Sequence, residues 1–159
     1  MLRNSRFVAN HRGGDLSPDE HIKLMRWAIS CFERVLTYYG EELDEPINHA
    51  IAVAEGWCRG TYTTGDAIST SRSVHSLAKE ISDPVAQAVA RSVGQGVATA
   101  HMAAHCVGAA LYAQRALKFA EKSYEDEKTW QVERLNQLPD DLANLVRATL
   151  TIKAKALGL

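Results

Sequence analysis

The residues with the most chemical potential lie together at 93–111, VGQGVATAHMAAHCVGAAL. Two histidines, His101 and His105, stand four apart, and Cys106 follows. On a helix that spacing puts both imidazoles on one face, the geometric start of a metal site. The other ligands are wanting. The HExxH motif needs a glutamate after its first histidine, and here that residue is Met102. A ferritin-like di-metal site needs several inward glutamates, whereas residues 85–111 contain no acid. His75 serves as a third ligand only if its helix packs alongside, and Cys106 lies about 100° round the helix from His105. The expectation is no metal and no cofactor, with the histidines as hydrogen-bonded polar residues inside a small-residue core. The second reading keeps His75, His101 and His105 as the lining of a small-ligand or metal-binding bundle.

Covalent catalysis finds little support. A nucleophilic thiol needs an adjacent base and partial exposure. A helix points Cys106 away from His105, and Cys31 and Cys58 sit on apolar stripes. The serines and threonines of 61–73 contain no GxSxG elbow. There is no P-loop, and Gly94-Gln95-Gly96 does not form a GxGxxG after a strand. Trp27, Trp57 and Trp130 fall one per helix on apolar faces and read as core. Their indole N–H groups need partners, for which His75, Arg34 or a backbone carbonyl would serve. The candidate interior polar or binding site is therefore His75, His101, His105, Trp27, Trp57 and Arg34.

These residues must be positioned by helices. Ser17-Pro18-Asp19-Glu20 is a helix start: serine caps the free N–H groups, proline suits the first position, and the acids face the positive helix end. Leu24, Trp27, Ala28, Cys31, Phe32, Val35 and Tyr39 then recur at helical spacing, with Gly40 as the stop. Pro46 starts a second helix ending at Gly60. A threonine of the following loop caps a third, about 66–81, whose face carries His75. Ser82-Asp83-Pro84 repeats the start signal. From Val85 the apolar period continues past Gly94, Gly96 and Gly108 without resetting, so a long central helix runs to about Lys122, with a kink or break at 94–96 or near 102–106. A short helix bearing Trp130 and a last one opened by Pro139-Asp140-Asp141 complete the chain.

No segment alternates with the period of a strand. The expectation is an all-α, single-domain bundle of six or seven helices around a central small-residue helix. It occupies residues 15–159, behind a loose basic arm at 1–14 that carries Arg3, Arg6 and Arg12.

The bulk numbers bound the partners. The chain has 159 residues, 18 basic and 19 acidic, and a net charge of -1, which gives no global field for nucleic acid or an anionic membrane. Acidic stretches at 41–45 and 123–128, with Asp140 and Asp141, read as solvated connectors. In a functional reading they suit a basic protein partner. Three widely spaced cysteines fit reduced thiols, the N-terminus lacks a signal-peptide apolar region, and no apolar run spans a bilayer. A soluble cytoplasmic protein is expected, and a homo-oligomer is compatible with this composition.

Several strings, in this order and spacing, resemble the Imm-five-like immunity proteins of bacteria. They are RWAISCFERVL (26–36), AIAVAEGWCRG (50–60), the His75-centred SVHSLAK, the segment 82–117 with its ATAHMAAH, and WQVERLNQLPDDLANLV (130–146). The family's pattern carries a histidine where this chain has Gln95. The resemblance implies a small all-helical protein that protects a cell from a toxin. Its partner would be a toxin domain, and it would need no catalytic group.

Overall fold

The structure, a computed structural model, describes residues 3–159. Among them are seven α-helices: α1 (Pro18–Glu33), α2 (Glu45–Cys58), α3 (Thr64–Glu80), α4 (Pro84–Ala98), α5 (His105–Phe119), α6 (Tyr124–Glu133) and α7 (Asp140–Ala154). No strand forms among the described residues; one isolated bridge pairs Ala9 with Leu16.

The starts are set by local chemistry. Ser17 Oγ accepts from the Glu20 N–H, and the Glu20 carboxylate accepts from the Ser17 N–H, a reciprocal capping box. Thr63 and Asp66 repeat it at α3. Asp83 caps α4, with Pro84 at the first helical position. α1 ends at Glu33, earlier than the stripe to Tyr39 implies. Leu36–Tyr38 tightens into a 3-10 turn that keeps Val35 buried.

The long central helix is two helices. α4 stops at Ala98, residues 99–104 turn, and α5 begins at His105. The two then run antiparallel in close contact: Gln95 reaches His105, and Ser92 Oγ donates to the Ala109 carbonyl at 2.7 Å. Alanine and glycine on both helices allow that approach. A Cβ on Gly96 would sit 2.5 Å from Phe32 Cδ2, so the ring of α1 fills the space the glycine leaves. The apolar period did not reset because both helices are buried and the turn between them keeps Ala100 and Ala103 inside.

The core has two main parts that share α1. Leu24, Trp27, Ala28 and Cys31 of α1 pack with α5, α7 and Leu135. Met25, Ile29 and Phe32, on the other side of the same helix, pack with α2, α3 and α4.

The N-terminal segment differs from the loose arm expected of it. Residues 5–7 and 10–12 form 3-10 turns, and Phe7 is buried in the core. Arg6 bridges Glu20 at 3.0 Å and Asp141 at 2.8 Å, tying the segment to the starts of α1 and α7. Arg6→Ala is therefore expected to cost about 1 kcal/mol. Limited proteolysis at Arg12 should accelerate with it; unchanged cleavage would mean that Phe7 alone holds the segment.

Candidate functional site

The turn between α4 and α5 gathers the histidines. His101 lies in the turn and His105 is the first residue of α5, so the two do not share a helix face as their spacing suggested. The fold still brings their rings to 5.5 Å between centroids, tilted by 47°. His75 approaches from α3. A Cβ on Gly94 would meet its Cε1 at 2.7 Å, so the imidazole lies flush on the α4 backbone. Gly94→Ala should consequently cost about 1–3 kcal/mol, as overpacking of a close contact does. A melting curve checks this, and an unchanged midpoint would mean that His75 swings away freely.

The hydrogen bonds fix what each ring can do. Arg91 donates to His75 Nδ1 at 3.0 Å, so that nitrogen is an acceptor. His105 Nδ1 donates to Gln95 Oε1 at 2.7 Å. Gln95 thus sits inside the cluster. It leans over Gly108, whose Cβ would come within 2.5 Å of Gln95 Oε1. His101 Nδ1 is buried with no partner.

The electrostatics favour neutral imidazoles. Burial pushes His75, His101 and His105 below the ordinary histidine value, and nearby positive charge adds to it. His105 falls to about 4, through burial first and then His101 and Lys153. Around His101 the added charges are Arg12, Arg72 and Arg3. Among the described residues, no group of three or more His, Cys, Asp or Glu side chains is arranged to hold a metal ion. The thiol of Cys106 is wholly buried and pushed up to about 12, so it is a poor nucleophile. A hollow of about 340 Å³ opens beside His105, lined also by Met102, Tyr112 and Lys153.

The other candidate residues go elsewhere. Trp27 Nε1 donates to the Gln131 carbonyl at 2.9 Å, which ties α1 to α6. Gln131 in turn bonds Gln114 and the Ala110 carbonyl, a buried polar chain. Arg34 reaches Glu127 at 2.8 Å and lies 4.0 Å over the Trp130 ring. Trp57 Nε1 donates to Thr64 Oγ1 at 3.2 Å, and its ring meets His21 edge-on at 4.8 Å. Trp27 and Arg34 thus join the scaffold, while Trp57 borders a different hollow.

A family model described as Imm-5 like putative immunity protein matches residues 14–138. The chain belongs to that family. No curated protein and no solved structure matches it. The matched span of this Imm-5 like protein covers α1 to α6 and contains all six candidate residues. It leaves α7 and the N-terminal segment outside, including Arg3 and Arg12 beside His101.

His21, Glu127 and Gln131 are buried polar residues that stand outside the six candidates. His21 stands three and seven residues before Leu24 and Ala28, so its place on the buried stripe was visible in the helical spacing. Glu127 belongs to an acidic run of exposed neighbours, and only the fold singles it out as buried.

Proposed function

We propose that this Imm-5 like chain binds a bacterial toxin domain and neutralises it by blocking it, without chemistry of its own. Family membership over residues 14–138 carries the reading. The rigidity of the bundle supports it. Capped helices, a buried Gln114–Gln131 pair and the Arg34–Glu127 pair hold a fixed surface against which a partner can fit with little ordering cost. Among the described residues, no helix is long and apolar enough to cross a membrane. In this reading the protein works in the cytoplasm, where it meets toxin made by its own cell or delivered by a neighbour. The exposed acids Glu41, Glu42, Asp44 and Glu45 suit a basic partner.

The test is co-expression with the toxin domain encoded beside it in the native genome. Induction of the toxin alone should stop growth, and induction with this chain should restore it. The two proteins should then elute as one complex. If growth stops equally with and without the chain and the proteins elute apart, the reading is wrong.

A further inference from the structure

Two adjoining hollows lie where the N-terminal segment crosses α1 and the α4–α5 turn. The smaller, about 40 Å³, is lined by Arg3, His11, Arg12, His21, His101 and Met102, among others. The larger, about 340 Å³, is lined by Leu16, Ile22, Trp57, Tyr62 and Thr63, among others. Ala9, His11, His21 and Thr64 border both, so the two meet along one wall.

The small hollow is cationic and lacks a counter-charge. Arg6, three residues from Arg3, is satisfied by Glu20 and Asp141. Arg3 and Arg12 have no carboxylate partner among the described residues. Arg3 reaches only the Met102 sulfur at 3.8 Å, and Arg12 only the His101 carbonyl at 3.3 Å. Each guanidinium has five N–H donors, so most remain unspent. His101 lines the same hollow, and its Nδ1 is buried with nothing to bond. A buried polar atom without a partner costs about 1–3 kcal/mol, which a ligand atom would recover. The volume admits about three oxygen-sized groups, the size of a carboxylate head.

The larger hollow is of the opposite character. Trp57 and Tyr62 supply flat apolar surface, and Leu16 and Ile22 close the floor. His21 forms the shared wall: its Nε2 donates to the Thr99 carbonyl at 2.6 Å, and its ring is braced edge-on by Trp57. The wall is therefore fixed before any ligand arrives.

We propose that this pair of hollows binds a small organic carboxylate, its head among Arg3, Arg12 and His101 and its apolar body against Trp57, Tyr62 and Ile22. The site adjoins the His105 hollow at Met102, and its occupancy does not depend on toxin binding.

Calorimetric titration of the full chain with 3-phenylpropionate tests it, with acetate as the head alone and 3-phenylpropanol as the body alone. One equivalent of 3-phenylpropionate should bind, at least about tenfold more tightly than either control, since head and body each contribute. Arg12→Gln, at an exposed position, should weaken it about tenfold while leaving the melting curve unchanged. His101→Leu, which removes the ring nitrogen, should weaken binding likewise, and the ¹⁵N resonance of His101 Nδ1 in the unaltered protein should move on titration. Failure of 3-phenylpropionate to bind, equal binding to Arg12→Gln, or acetate binding as tightly as 3-phenylpropionate would each overturn the proposal. If His101→Leu does not fold, the Arg12→Gln affinity and the His101 resonance decide.

Discussion

In an Arg34→Ala variant, stability at pH 7 is expected to fall by about 3 kcal/mol, because Glu127 then stays buried without its cation. The Glu127 side chain is 5% exposed against 41% for Arg34, so the carboxylate is the member that cannot recover water. Arg34 Nε donates to both of its oxygens, at 2.8 and 3.0 Å. The substitution also uncovers one side of Trp130, whose ring carries Arg34 and Arg134 each 4.0 Å from its centroid. That loss is worth about 0.5–1 kcal/mol and separates from the charge effect by a second change. Adding Glu127→Gln to Arg34→Ala should restore most of the stability, since the neutral amide tolerates burial better than an unpaired anion. Denaturant unfolding of the unaltered protein and of the two variants at pH 7 measures this. A deficit under about 0.5 kcal/mol, or one indifferent to Glu127→Gln, would show the pair to be an ordinary surface bridge.

The second large effect is acid destabilisation beginning well above the carboxylate range. His21, His75, His101 and His105 are all held below the ordinary value of 6.5, chiefly by burial. The unfolded chain takes up protons near that value while the folded chain does not. The unfolded state then binds more protons, so stability falls as pH drops below about 6.5. The loss continues until the native rings titrate, which for His105 means about 4. His105 alone accounts for on the order of 3 kcal/mol between pH 7 and 4. Glu20 acts in a lower window: its carboxyl is held below 4.5 by Arg6, so its contribution disappears only as pH falls further. Unfolding free energies from pH 7.5 to 4 should slope downward, and His105→Gln should flatten the slope. A level profile, or one that His105→Gln leaves unaltered, would contradict the burial of these rings as neutral species.

What the sequence could disclose depended on how local the cause was. The starts of α1, α3 and α4 were legible because a cap and its partner lie within three residues, as Ser17 with Glu20 and Thr63 with Asp66. The all-helical bundle followed from stripes such as Leu24, Ala28 and Cys31. The break between α4 and α5 was placed only as one of two alternatives, 94–96 or near 102–106, because residues 99–104 carry no proline and do not interrupt the apolar period. The histidine cluster was named from the wrong geometry: His101 and His105 meet across a turn and a helix start, not along a helix. The docking of the N-terminal segment depends on Asp141, 135 residues from Arg6 in the chain, and no local pattern announces such a partner. Arg34 looked like a flank of an apolar face, and its buried carboxylate lies 93 residues away.

α1 gives Trp27 and Cys31 to one half of the core and Met25 and Phe32 to the other. It is a common beam, and neither half can loosen without moving it. The molecule should therefore melt in one step. A protein clamped to either half would raise the temperature of that single step and would slow amide exchange in the half it never touches.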